Sequence, residues 1–342
     1  MLDVKVKADS IKLGKHFSVN FQRTLRIPDD GKTYPLPPGL GNFPVCKIDD
    51  YADRVPASWK QHGGVFIPMY QREALWLNFN GVSWRPNVIK VAVGKINAVT
   101  GKTWNQKLDG VEQDYLVCPD QPWLDGINAG DGYIRQFVAM PLGMGYTVEG
   151  QVSGKEEFGG IQIIVFDPKP GKFPEQPPQP VAAMRSMSYG ATKGIFRSME
   201  AQSLDEGAFR GGEMGLAAGG KMKQKIYPDK YGVETWDENQ FGRVYIHIVN
   251  SMMYREITGK EAPPTPVTAK TYTQHGFPWF DLYDEHKGDV EQSSILSQVK
   301  PVKEMDKEKG FSPQQDDSSV EVSEEQVKKL KSDPDAVRDG NW

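Results

Sequence analysis

Apolar and polar residues alternate early in the chain. "HFSVNFQRTLRI" places Phe17, Val19, Phe21, Leu25 and Ile27 on odd positions, the period of a half-buried strand. The break at Thr24 fits a bulge or a small core residue. "PDDGKTYPLPPGLGNFP" then supplies a turn and a Pro/Gly loop that cannot continue a hydrogen-bond ladder. "GVFIPMYQREALWLNF", "NVIKVAVGKINAV", "DYLVC", "YIRQFVAM", "YTVEGQV" and "GIQIIVFD" follow, strand-sized and separated by Gly, Asn or Asp. Seven or eight strands without long crossover helices predict a mainly β fold. The expected body, residues 1–166, is an antiparallel β-sandwich or jelly roll.

"DPKPGKFPEQPPQP" holds six prolines, and 167–182 reads as an extended linker. Beyond it, 183–289 reads as a smaller β-containing subdomain. It opens on a mobile Gly/Met-rich segment with a short helix at "SMEAQSLDEGAF". Strands follow at "KMKQKIYPD" and "RVYIHIVNSMMYREI", and the alternative is that these strands add to the first sheet. From 290 to 342 the composition is that of a charged, largely disordered tail. "SEEQVKKLKSD" suggests a short helix capped by Ser323, and Trp342 a docking anchor.

Composition sharpens the function class. With 38% hydrophobic and 11% aromatic residues the chain can build a core, which excludes overall disorder. The opening "MLDVKVKADS" has no apolar leader core, and runs such as "IQIIVF" are too short to span a bilayer. Two cysteines, Cys46 and Cys118, point away from a disulfide scaffold and toward a cytoplasmic location. Residues 290–342 carry twelve acids and eight bases, leaving 33 of each in 1–289. A balanced body lacks the charge that drives phosphate-backbone binding, so neither nucleic acid nor membrane is an expected partner.

Several stretches are familiar together: "RTLRIPDDGKTYPLPPGLG", "GVFIPMYQREALWLNF", "YLVCPDQPWLDGI", "RQFVAMPLGMGYTVEGQ" and "GFPWFDLYDE". The chain resembles a group of uncharacterised bacterial proteins over most of 10–290. That resemblance implies a bacterial single-chain protein and brings no activity, cofactor or site residue.

Chemistry concentrates in "CPDQPWLDGINAGDG". Asp120, Asp125, Asn128 and Asp131 offer hard oxygen ligands, but their spacing does not match a calcium loop. Trp123 and Tyr133 would stack on a sugar ring. The plainer reading is an ordered bend in which Gly126, Gly130 and Gly132 supply positive φ. Elsewhere Cys118 and Cys46 lack the signs of an activated thiol. Glu73, Glu112, Asp114 and Glu149 are candidate paired carboxylates. "HGFPWFDLYDEH" carries His275, Asp281, Asp284, Glu285 and His286 in no zinc spacing, and Trp279, Phe280 and Tyr283 read as anchors. Gly215, Gly219, Gly220 and Lys221 imitate a phosphate loop but are followed by Met222.

The expected function is a cytosolic binding or assembly protein that self-associates or takes a protein or small polar ligand, with no cofactor or metal. The ligand-binding candidates are Asp120, Trp123, Asp125, Asn128, Asp131 and Tyr133. The alternative is a hydrolase acting on a carbohydrate or similar polar substrate through carboxylates near 112–135, and a third possibility is calcium stabilisation of the bend.

Overall fold

Residues 1–178, 211–265, 267–283, 287–312, 314 and 318–331 are described by the computed structural model. They form β1 (Val4–Lys7), β2 (Ser10–Leu13), β3 (Phe17–Thr24), β4 (Thr33–Tyr34), β5 (Gly39–Asn42), β6 (Cys46–Lys47), β7 (Val65–Pro68), β8 (Ala74–Asn80), β9 (Asn87–Val93) and β10 (Ile96–Asn97). Next come β11 (Leu116–Cys118), β12 (Trp123–Leu124), β13 (Gly126–Gly130), β14 (Tyr133–Pro141) and β15 (Ile161–Pro168). Last are β16 (Glu213–Lys223), β17 (Trp236–Val249), β18 (Trp279–Tyr283) and β19 (Val327–Lys331). Helices are short: α1 (Ala57–His62), α2 (Val148–Ser153), α3 (Ser251–Thr258), α4 (Ala269–Gln274) and α5 (Val302–Glu308).

The mainly antiparallel β fold expected from the alternation is the one observed. One layer runs β1–β2–β3–β8–β14–β16, all antiparallel. The other runs β17–β15–β9–β11, with β7 added parallel to β17. The layers meet at a corner where Met214 of β16 pairs with Ile248 of β17. Their inner faces share one core. Val19, Phe21, Leu75, Leu77 and Phe137 belong to it from the first layer, and Ile89, Val91, Ile163 and Ile246 from the second.

β3 follows the predicted pattern through Phe21 and then leaves it. Thr24 is fully buried and its hydroxyl donates to Pro38 O at 2.9 Å. The chain leaves the sheet there, so Leu25 and Ile27 fall into a separate cluster with Tyr34, Ile134, Met222 and Trp279.

Five expectations are corrected by tertiary structure. "YTVEGQV" forms helix α2: the Thr147 hydroxyl accepts from Gly150 N–H at 3.0 Å, and Gly154 closes the helix at φ 78°. "SMMYREI" is helix α3, because the Asn250 side chain caps Met253 N–H at 2.8 Å and ends β17. The Gly/Met-rich segment is a buried strand from Glu213 onward, with glycines where neighbours press close. A Cβ on Gly220 would lie 2.4 Å from Pro28 O, and one on Gly219 2.6 Å from a Val138 methyl. β16 and β17 hydrogen-bond into the layers built before the proline tract, the alternative kept open for the strands of 183–289.

The fourth correction concerns 290–308, expected as solvated tail. Leu296, Val299 and Val302 are buried there. Asp306 is buried too, accepting from Arg72 at 2.8 Å and from Tyr146 OH at 2.8 Å. Gln151 holds this segment by pairing with both backbone groups of Lys300. Fifth, the region after Ser323 makes a single 3-10 turn, with Gln326 Oε1 accepting from Ser323 N–H, and continues as β19 beside β18. The expected "SMEAQSLDEGAF" helix and Trp342 lie outside the described residues.

Candidate functional site

The aspartate-bearing bend leaves β11 through a cis peptide between Cys118 and Pro119. Its side chains do not converge on one point. Asp120 pairs at the surface with Lys230 at 2.7 Å. The Asn128 amide is buried and donates to Glu291 O at 2.9 Å. Asp131 is exposed, and the neighbouring Gly132 N–H donates to Asp289 at 3.1 Å. Tyr133 lies under the Lys221 ammonium, 4.8 Å from its ring centroid.

Only Gly132 of the three glycines adopts positive φ, at 70°. Gly126 and Gly130 serve close approach instead. A Cβ on Gly126 would sit 1.8 Å from Arg135 O, and one on Gly130 1.8 Å from the Tyr133 ring.

Trp123 and Asp125 are the two expected residues that the fold does bring together. Asp125 is buried, and its N–H donates to Gln224 Oε1 at 3.1 Å while Gln224 Nε2 donates to Asp125 Oδ2 at 2.8 Å. The Trp123 side chain lies close enough to favour the charged form of the same carboxyl. Burial raises the carboxyl to about 7, against the opposing pull of the Gln224 hydrogen bond and of Trp123. Beside them Gln121, also buried, donates to Trp123 O and accepts from Tyr227 N–H at 3.0 Å. Asp125 thus ties the bend to Gln224, just beyond the end of β16.

Trp123 in turn borders an open sheet face. It pairs with Asn78, and its ring meets that of Trp76 edge-on at 6.2 Å between centroids. Because β3 and β8 alternate, their inward residues are Phe17, Val19, Phe21, Leu75, Leu77 and Phe79. Their outward residues are Ser18, Asn20 and Gln22 opposite Asn80, Asn78 and Trp76. All six are half-buried or exposed. Gln22 bridges the amides of Asn20 (3.0 Å) and Asn42. Gly39 leaves room for this arrangement: a Cβ there would lie 3.1 Å from Gln22 Oε1 and 3.4 Å from the Trp76 ring.

The other candidate groups are committed to internal partners. Glu73 receives Arg23 at 2.6 Å and Tyr70 N–H at 2.9 Å; burial raises its carboxyl and Arg23 opposes this. Asp114 is buried against the Lys90 ammonium at 2.6 Å. Glu149 accepts the N–H groups of Glu157, Phe158 and Gly159. Glu112 pairs with Lys102 at the surface. Burial lifts the Cys118 thiol to about 12 and raises that of Cys46. His247 stacks between Trp59 and Tyr245 at 4.3 Å from each, and burial lowers it to about 3.

His275 bonds to Thr271 O and Asp281 to Lys223, while Asp284, Glu285, His286 and the side chain of Tyr283 lie outside the described residues. Trp279 is the fully buried anchor of that segment. Gly215 to Lys221 lie along β16, not in a loop before a helix. Among the described residues no three His, Cys, Asp or Glu side chains are grouped as a metal would require, and no helix is long and apolar enough to cross a membrane. Sequence reasoning passed over Gln121, Gln224, Trp76 and the amide row. The row was readable in principle, as uncharged polar residues alternating with apolar ones along two strands, broken by Trp76. No family model, curated protein or solved structure matches this chain.

Proposed function

We propose that this is a binding or assembly protein of the bacterial cytosol with no chemistry of its own. The observation that carries the reading is where its buried ionisable groups go. Asp125, Glu73, Asp114 and Glu149 each satisfy a partner inside the fold, and each lies with a different one. A hydrolytic pair needs two carboxyl groups facing one cleft, with one left to protonate the leaving group. What faces water on the stretch of β3 and β8 beside Trp123 is a different set, neutral polar side chains and indoles. The two free cysteines support a reducing compartment.

The test is size-exclusion chromatography with light scattering, together with affinity capture from a bacterial lysate. A stable oligomer or a reproducible captured partner supports the reading, while a strict monomer with no partner removes its main support. The rival reading, hydrolysis of a carbohydrate, draws on the raised carboxyl of Asp125 beside Trp123. It requires turnover of glycoside substrates by the wild type that Asp125→Asn abolishes.

A further inference from the structure

We propose that the outward face of β3, β8 and β12 binds a neutral oligosaccharide. This rests on the binding reading above and names its ligand class. A sugar offers two chemistries at once: a ring face of C–H bonds that packs on an indole, and a rim of hydroxyls that both donate and accept. Side-chain amides match the rim because each carries a donor and an acceptor. Tryptophan matches the ring because it offers a broad apolar face beside one N–H.

The face presents both in register. Directly opposed residues on one face of an antiparallel pair lie about 5 Å apart, so Asn20 with Asn78 and Ser18 with Asn80 form two adjoining polar rungs. Trp123 extends the first rung on the far side of Asn78, and Trp76 stands opposite Gln22. Ser18, Asn78 and Asn80 make no side-chain hydrogen bond among the described residues. Their capacity is available to a ligand.

Two features point to a built surface. Trp123 is anchored by the buried Gln121, which donates to Trp123 O at 3.1 Å. The Trp76 ring stays half-buried and is braced edge-on against Trp123, 6.2 Å between centroids. The stretch Ser18–Asn20–Gln22 with Trp76–Asn78–Asn80 carries no charge; Lys12, opposite Ser18 on β2, stands at its margin. Lys5 and Lys7 of β1 continue the same face beyond Lys12 and Ser10, so an anionic ligand would find its cations on β1 and β2 and neutral amides across the stretch itself. The chemistry therefore selects a neutral glycan lying across the rungs, one sugar ring against the indoles.

The experiment is titration of the full chain with six-unit oligomers of β-1,4-glucan, α-1,4-glucan, xylan and mannan, followed by calorimetry and tryptophan fluorescence. Binding of at least one oligomer is expected. Trp76→Ala weakens it by about tenfold, the worth of one stacked ring. Asn78→Ala with Asn80→Ala weakens it similarly, and both variants keep the wild-type melting profile. Asp125→Asn, a positioning change, alters the Trp123 fluorescence maximum and weakens binding less than Trp76→Ala does.

No binding to any of the four, or binding indifferent to these changes, overturns the proposal. So does preference for a polyuronate that is lost on Lys12→Ala. A dimer dissolved by Trp76→Ala would assign the face to self-association and also overturn it. That last outcome leaves the binding-or-assembly reading standing, whereas a strict monomer with no captured partner and no glycan bound ends both.

Discussion

Asp125 is a carboxyl group placed where water cannot reach it, and its titration makes a sharp forecast. Its folded value is about 7 against an ordinary 3.8. Between those values the native state holds a proton that the unfolded chain has released, so stability falls as pH rises from about 4 to about 7. The loss is roughly 4 kcal/mol at most. Asparagine at 125 does not titrate. The stability of Asp125→Asn relative to wild type should therefore climb across that window and level off above it, as read by urea unfolding at pH 4, 5.5 and 7.5. A difference independent of pH would show that the carboxyl is not buried in this way.

Lys90 makes the opposite case, a buried cation with its partners complete. Its ammonium meets Asp114 at 2.6 Å, Asn105 Oδ1 at 3.0 Å and the carbonyl of Lys107, one acceptor for each proton. Lys90→Met strands the Asp114 carboxylate and should cost about 3–5 kcal/mol. Adding Asp114→Leu should recover most of it. Chemical denaturation of the single and double variants checks this, and a single variant as stable as wild type would contradict it.

At the scale of elements, β16 shows how composition misleads. Gly, Ala and Met in "GGEMGLAAGGKMK" have weak strand propensity and read as mobile chain. The strand forms because β14 pairs along nearly its whole length and because its glycines let Pro28, Val138 and Thr147 come close. Gly220→Ala would drive a methyl into Pro28 O, a backbone atom that cannot swing aside, and should cost about 1–3 kcal/mol. Gly211→Ala, with nothing within 4 Å, should be neutral. Equal melting temperatures for the two variants would refute the packing account. In α2 the apolar period was equally ambiguous. Thr147 as N-cap and Gly154 as terminator decide it, and both were visible in the sequence.

For the molecule as a whole, the polar composition after residue 290 hid a structural role. Three apolar residues, Leu296, Val299 and Val302, were enough to seat the segment, with Asp306 bonded to Arg72 and Tyr146 beneath it. A chain ending at 289 loses those burials and that buried ion pair together. It should melt about 10 °C or more below the full chain, because several kcal/mol are removed from a protein of this size. An unchanged melting temperature by calorimetry would mean that the segment only rests on the surface.

What the sequence determined unaided was the class of fold and the faces of its long strands. Period-two alternation is a local property, and β3 and β8 follow from it directly, while β14 and β15 follow from short apolar, β-branched or aromatic runs. The same alternation already held the outward row of Ser18, Asn20, Gln22, Trp76, Asn78 and Asn80, though not the fact that two distant segments set it side by side. Tertiary structure alone decided that Asp125 would face Gln224, 99 residues away, and that Trp123 would border the amide row instead of a cluster of aspartates. Which partner a polar side chain meets depends on contacts far apart in the chain. Period and spacing carry no information about those contacts.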